Sequence, residues 1–187
     1  RDLRMSRGLG DVYKRQDPAY VGLAKEIHKA QEALMDGKDP VTVKPELAEI
    51  MDEIHVQFPQ AANDNIGFGS TIFAVKPGDG SAREQAASCQ KVLGGWANIA
   101  NEYATKRYRS NLINWGMLPF VIPDGDLPFT NHDYLFFPGI RKAVEEKAAE
   151  ITGYVVDANG LKPFTVTLGE LTDEERQIIL KGCLINY

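Results

Sequence analysis

Residues 68–84 read FGSTIFAVKPGDGSARE, and this stretch decides the fold. Its first half, FGSTIFAVK, is rich in β-branched and aromatic residues and predicts a buried strand. Gly78 and Gly80 predict a tight turn, and we expect a helix from Ser81 to Leu93, ended by the glycines at 94 and 95. A strand, a glycine turn and a helix in direct succession are typical of a unit of an α/β sheet.

The same order recurs along the chain. The segments WANIANEYA, YRSNLINWG and MLPFVIP predict a strand running into a helix, a short helix ending at Gly116 and another strand. A further strand and helix follow in DYLFFPGIRKAVEEKAAEI, a hairpin in TGYVVDANGLKPFTVTL, and a helix capped by Thr172 and stopped by Gly182. We therefore predict an α/β domain with a mostly parallel sheet flanked by helices.

Two amphipathic helices are predicted before this domain. The first has Asp17 at the N-cap position, Pro18 at the first helical position and Gly37 as its stop, and the second begins at Pro45. Their apolar faces are Leu23, Ile27, Ala30 and Leu34 in the first helix and Leu47, Ile50, Met51 and Ile54 in the second. We expect a helical lead-in over residues 17–65 and the α/β domain over residues 66–187.

The first sixteen residues, RDLRMSRGLGDVYKRQ, follow neither a helical nor a strand period. They resemble translated adapter or vector read-through, so we interpret residues 1–16 as a non-native leader. On this interpretation the natural sequence begins near Asp17 and belongs to something longer.

Composition excludes several classes of protein. With 187 residues and 43% hydrophobic residues, the chain can fill the core of one domain. Its net charge of −5 argues against a general nucleic-acid binder. Neither a long apolar run nor a signal peptide is evident, so we expect a soluble, cytoplasmic protein that does not interact with membranes. Cys89 and Cys183 are too far apart in sequence to form a C-x-x-C motif.

The GDGSARE loop has two interpretations. Ser81 and Glu84 have the spacing of a capping box, which would give the serine a purely structural role. Alternatively, the loop binds an anion: its glycines let a ligand approach the backbone, and it lies where α/β sheets bind ligands. Arg83 favours the second interpretation, because a helix dipole disfavours a cation in the first turn unless an anion is held there. The motif is not a nucleotide P-loop, since G-x-x-x-x-G-K-[ST] is absent.

GDGSARE, followed about 25 residues later by YRSNLINWGMLPF, resembles the C-terminal swivelling domain of the aconitase superfamily. There a Gly-x-Gly-Ser-Ser-Arg-Glu loop precedes a helix, and an R-S-N-L…G-x-L-P segment leads back to the sheet. The resemblance is firm over residues 66–120 and looser to Tyr187. It implies the swivelling β/β/α fold and a hydro-lyase that dehydrates and rehydrates a hydroxy-polycarboxylate, as in tricarboxylic acid metabolism.

The resemblance also implies roles for this loop. Ser81 would be the catalytic base, acting as an alkoxide, Arg83 would hold a substrate carboxylate, and Gly80 and Ala82 would complete the substrate-binding loop. The cofactor would be a [4Fe–4S] cluster whose cysteine ligands come from upstream domains or a large subunit. No metal ligand is expected in this chain, which alone should be inactive.

One departure bears on the substrate. Ala82 stands where the family has a second serine, which indicates a specificity other than citrate. The chain is expected to be the tail of a long enzyme; the alternatives are a separate small subunit like that of isopropylmalate isomerase and a non-catalytic RNA-binding or regulatory relative.

Other candidates are weaker. His28, His55 and His132 stand alone in the sequence, so we expect ordinary core or surface histidines. The basic cluster KRYRS, residues 106–110, is expected to be a solvated helix face in which Arg109 forms an ion pair between domains. Trp96, Tyr103, Trp115 and Phe120 are expected in the core and not on a base-stacking platform.

Overall fold

The computed structural model describes residues 19–187, which form six α-helices and six strands. The leader over residues 1–16 and the predicted cap at Asp17 and Pro18 lie outside the described residues. The elements in chain order are α1 (Tyr20–Met35), α2 (Leu47–Gln57), β1 (Ser70–Ala74), α3 (Arg83–Val92), β2 (Gly95–Ala100), α4 (Lys106–Asn114), β3 (Leu118–Val121), β4 (Tyr134–Phe136), α5 (Ile140–Glu145), β5 (Ile151–Asp157), β6 (Gly160–Val166) and α6 (Asp173–Lys181).

The strands form two sheets. In the first, β2 lies between β1 and β3 and pairs with both in parallel, as crossover helices require. In the second, β5 lies between β4 and β6 and pairs with both in antiparallel fashion, β5 and β6 being the predicted hairpin. An isolated antiparallel bridge joins Val121, the last residue of β3, to Thr167, which directly follows β6. The α/β class and the parallel sheet are confirmed, and the antiparallel strands form a sheet of their own.

The main core lies where the sheets and the last two helices meet. Its fully buried side chains come from both sheets and from α5, and Phe137 stacks on Phe120 with ring centroids 4.7 Å apart. A second cluster packs α2 against β5, and a third packs α3 against α4. The core is therefore shared by all layers of the fold.

β1 differs from the prediction of a buried strand, because all five of its residues are half-buried. Two features explain this. The strand is at the edge of its sheet, and it lines a mostly apolar cavity of ≈ 1230 Å³ between α1, α2 and the two sheets.

Polar contacts hold the first lead-in helix against the segment before β1 and against the segment that leads into α2. The backbone N–H of Phe68 donates to Gln31 Oε1 at 2.7 Å, and the buried Lys44 bonds Glu26 at 2.9 Å. Burial opposes the charge of Lys44, but its bond to Glu26 together with the nearby Tyr134 and Glu46 raises the pKa of Lys44 above its usual value. Among residues 19–187, no helix combines the length and apolar composition that a membrane crossing requires.

The C-terminal ends of α4 and α6 meet at two glycines. Gly116, at φ +69°, is so close to Gly182 that an added Cβ would be 1.7 Å from the Gly182 carbonyl oxygen. The predicted stops at Gly116 and Gly182 therefore also form an interhelical contact. The predicted cap of α6 is confirmed as a full capping box between Thr172 and Glu175.

We expect Gly116→Ala to lower the free energy of unfolding by about 3 kcal/mol, from the left-handed backbone and the overpacking together. Gly37→Ala is the matched control, because Gly37 also follows a helix at φ +72° but an added Cβ there has nothing within 4 Å. Gly37→Ala should lower the free energy of unfolding by only about 1 kcal/mol, because backbone strain is its sole effect. Urea unfolding of both variants measures the difference, and equal losses would contradict the interhelical contact.

Candidate functional site

The carboxyl ends of the three parallel strands lie at one edge of the first sheet. Three connections leave from this edge: residues 75–82 after β1, residues 101–105 after β2 and residues 122–133 after β3. This is the edge at which open α/β sheets bind ligands. The loop that the sequence singled out is the first of the three, which we call the GDGSARE loop (residues 78–84).

The first connection is held against the second by main-chain hydrogen bonds. The N–H of Glu102 donates to the carbonyl of Val75 at 3.0 Å, and the N–H of Ala104 donates to the carbonyl of Pro77 at 2.9 Å. These bonds continue the pairing of β1 with β2 beyond the strands. The base of the GDGSARE loop is therefore fixed by the sheet.

The two glycines of the loop do different things. Gly78 has φ +97°, and an added Cβ would be 2.5 Å from Tyr108 Cβ, so both the backbone conformation and the close contact require glycine. Gly80 faces open space, because an added Cβ there would have nothing within 4 Å. Gly78 thus allows the loop to pack directly against α4, and Gly80 leaves the outer side of the loop accessible.

The predicted capping box is wrong. α3 begins at Arg83, its N-cap residue is Ala82, and no side chain caps it. Glu84 does not turn back toward Ser81, because its carboxylate accepts a hydrogen bond from Trp115 Nε1 at 3.1 Å. Ser81 is exposed, and none of the hydrogen bonds found within residues 19–187 uses its hydroxyl. A structural role as a cap therefore does not explain this serine.

Arg83 is half-buried and partly engaged. Its Nε donates to the Gly78 carbonyl at 3.0 Å. Within the described part of the chain, its two terminal nitrogens have no hydrogen bond or ion pair, and neither have the backbone N–H groups of Arg83, Glu84 and Gln85. A guanidinium edge and a helix N-terminus thus lie beside the Ser81 backbone, which is the combination that binds an anion.

A polar layer lies beneath the loop. Asn98 Nδ2 donates to the Tyr108 hydroxyl at 2.9 Å, and both side chains are buried. The Tyr103 hydroxyl is 2.9 Å from the Phe120 carbonyl oxygen. Burial, and then the neighbouring Tyr108, raise the pKa of Tyr103 far above its usual value, so it stays neutral.

Sequence reasoning missed two residues of this layer, Thr105 and Tyr108. Thr105 caps α4 by accepting a hydrogen bond from the Tyr108 N–H at 3.2 Å, and its hydroxyl is 3.1 Å from the Gly78 carbonyl oxygen. A threonine directly before the helical run KRYRSNLIN was a recognisable capping signal. Its contact with a loop 27 residues earlier was not.

One arginine of the basic cluster KRYRS, Arg109, makes structural contacts with the segment before α6. Arg109 donates to the carbonyls of Leu168 and Glu170 at 3.1 and 2.6 Å, and lies 4.0 Å from the Glu175 carboxylate. It joins α4 to the start of α6, as an ion pair within this domain and not between domains. Of the predicted core aromatics, Phe120 is fully buried, whereas Trp96 is 41% exposed.

The described residues do not fit an iron–sulfur cluster. Between residues 19 and 187, no three His, Cys, Asp or Glu side chains come together as metal ligands. Cys89 lies in α3, where burial and then Glu84 raise the pKa of its thiol, which disfavours the thiolate form that ligates iron. His28 pairs with Glu32 at 3.6 Å, and His55 Nε2 is 2.6 Å from the Ala61 carbonyl oxygen.

Comparison with known proteins found a matching family model and a similar solved structure. Residues 60–125 match the family model of the aconitase C-terminal domain. Among solved structures, the chain is similar to 3-isopropylmalate dehydratase from Methanocaldococcus jannaschii, with 23% identity over 74% of this chain and 75% of that chain and a TM-score of 0.38. No curated protein sequence matches. The segment that matches the family model contains β1, the GDGSARE loop, α3, β2, α4 and β3, and with them the two motifs on which the predicted resemblance rests.

Proposed function

We propose that this chain is the C-terminal domain of an aconitase-like hydro-lyase, with Ser81 as its catalytic base and Arg83 as the anchor of a substrate carboxylate. The enzyme would reversibly remove water from a hydroxy-polycarboxylate in the cytoplasm. The observation that carries the proposal is the exposed Ser81 hydroxyl, which caps no helix and stands beside unused N–H donors.

The chemistry of Ser81 depends on these neighbours. A serine hydroxyl is a very weak acid, so it can act as a base only where its anion is stabilised. The N-terminus of α3 begins two residues after Ser81, and it and the Arg83 guanidinium supply positive potential next to the serine. In this environment the Ser81 alkoxide would take the proton on the carbon next to a carboxylate, and the hydroxyl would leave from the neighbouring carbon as the double bond forms.

Arg83 is suited to the carboxylate of such a substrate. Its terminal nitrogens are free within residues 19–187, and a guanidinium binds a carboxylate through two parallel hydrogen bonds. Ala82 lacks the hydroxyl that the family's second serine would contribute, but its backbone N–H remains. The proposed substrate is therefore a hydroxy-polycarboxylate that needs one polar contact fewer than citrate.

The partner of this domain is part of the proposal. Since the described residues offer no cage for a [4Fe–4S] cluster, the cluster and the Lewis acid chemistry it provides would come from upstream domains or from a large subunit. Both arrangements place the GDGSARE loop at an interface with the cluster-binding part, and the steps assigned above use only groups of this chain.

Ser81→Ala should reduce kcat by several orders of magnitude in the enzyme assembled with its cluster-binding part, because the base is lost. Its free energy of unfolding should change by less than about 0.5 kcal/mol, since the side chain makes no structural bond. Thr172→Ala is the control: it removes a real cap, so it should cost about 1 kcal/mol of stability and leave kcat unchanged. Unchanged turnover in Ser81→Ala would refute the assignment of the base.

Arg83→Lys should raise KM for the substrate by at least about tenfold, because an ammonium cannot bind a carboxylate through two parallel bonds or keep the Nε bond to Gly78. Arg107→Lys, an equivalent change on an exposed arginine of α4, should leave KM unaltered. Steady-state kinetics of the assembled enzyme measure both, and equal KM values in the two variants would contradict the anchor.

The purified chain alone should show no dehydratase activity and contain no iron or acid-labile sulfide. Both can be measured on the same sample. Stoichiometric iron and sulfide would show that the cluster is bound within this chain and would overturn the proposed division between this domain and its partner.

A further inference from the structure

We infer that Thr105 is a positioning residue that orients Arg83 through the carbonyl group of Gly78. The inference rests on the proposed function, because it takes Arg83 as the carboxylate anchor. It goes beyond the proposed function in two respects. It says that Thr105, in the second connection, fixes the direction of the Arg83 guanidinium, and it says which edge of the guanidinium faces the substrate.

The Gly78 carbonyl oxygen is the point where the two side chains meet. Arg83 Nε donates to it at 3.0 Å, and the Thr105 hydroxyl lies 3.1 Å from it. A carbonyl oxygen has two lone pairs, so these two donors satisfy it completely. The three groups come from two connections that are far apart in sequence and adjacent at the edge of the sheet.

The direction of the Thr105 hydroxyl proton follows from its second contact. The Thr105 oxygen accepts a hydrogen bond from the backbone N–H of Tyr108 at 3.2 Å, so its own proton remains available for the Gly78 carbonyl. The Tyr108 ring lies directly against Gly78 and keeps the loop from moving toward α4. Thr105 lies at the fixed N-terminus of α4, and from there its hydroxyl holds the Gly78 carbonyl in place.

The consequence for Arg83 is geometric. With Nε engaged by Gly78, the side edge of the guanidinium is not available to a ligand, and the end formed by Nη1 and Nη2 is the free donor pair. A substrate carboxylate would bind end-on to this pair. The distance and angle from that carboxylate to the Ser81 hydroxyl would then be set by the Gly78 carbonyl and, through it, by Thr105.

Loss of the Thr105 hydroxyl should therefore loosen Arg83 without removing it. In Thr105→Ala we expect KM for the substrate to rise about tenfold while kcat falls less than about threefold, and Thr105→Ser, which keeps the hydroxyl, should restore the wild-type KM. Thr172→Ala is the matched control, because it deletes the cap of α6 with the same chemistry and belongs to no part of the site. Its KM should equal that of the wild type.

A second measurement does not depend on activity. The motion of the Arg83 Nε–Hε bond can be followed by NMR relaxation in the isolated chain. We expect a high order parameter in the wild type, Thr105→Ser and Thr172→Ala, and a clear decrease in Thr105→Ala. If Thr105→Ala does not fold, Thr105→Asp keeps an oxygen to cap α4 but has no proton for Gly78, and the same decrease is expected.

The outcomes separate the inference from the proposed function. If Arg83→Lys raises KM but Thr105→Ala behaves like Thr172→Ala in both measurements, Thr105 does not position Arg83 and the inference is wrong. If Arg83→Lys also leaves KM unchanged, the proposed anchor is wrong and the inference is lost with it. A higher KM and a lower order parameter of the Arg83 Nε–Hε bond in Thr105→Ala, with both restored in Thr105→Ser, support the inference and the proposed function.

Discussion

The position of β2 between two parallel neighbours is the constraint on which the site depends. β2 is buried at every position but Trp96, and it pairs with β1 on one side and β3 on the other. Because the three strands are parallel, their carboxyl ends lie together, and the connections that follow them must pack against one another. The bonds from Glu102 to Val75 and from Ala104 to Pro77 are the direct result, and they bring the GDGSARE loop onto α4.

The start of α3 has no side-chain cap, and its first-turn N–H groups have no hydrogen-bond partner among the described residues. A helix of ten residues begins here with an alanine at its N-cap, whereas α6 in the same chain has a complete capping box. A serine at that alanine position could add up to about 1 kcal/mol of stability. Unpaired first-turn N–H groups lower the stability of the helix, and a bound anion would offset that loss by accepting their hydrogen bonds. The proposed substrate carboxylate next to Arg83 would be such an anion.

The scaffold separates support from chemistry. Beneath the loop, Asn98 Nδ2 donates to the Tyr108 hydroxyl, and Arg109 donates to carbonyls in the segment before α6. Among the described residues, the Ser81 hydroxyl and the free end of Arg83 are two of the polar groups left available at this edge. In the proposed enzyme this domain would supply a base and a carboxylate anchor, and the metal chemistry would come from the cluster-binding part.

Local patterns in the sequence were sufficient for the order of the elements, the β5–β6 hairpin and the capping box at Thr172, because each depends on interactions within a few residues of the chain. They also pointed to Ser81 and Arg83. The same kind of pattern failed at Ser81 and Glu84, since Trp115, 31 residues away, takes the Glu84 carboxylate. The half-buried state of β1 and the contact of Thr105 with Gly78 were likewise decided by strand pairing and packing. Spacing in the sequence determined which groups this loop contains, and only the tertiary structure decided which of them remain free to bind.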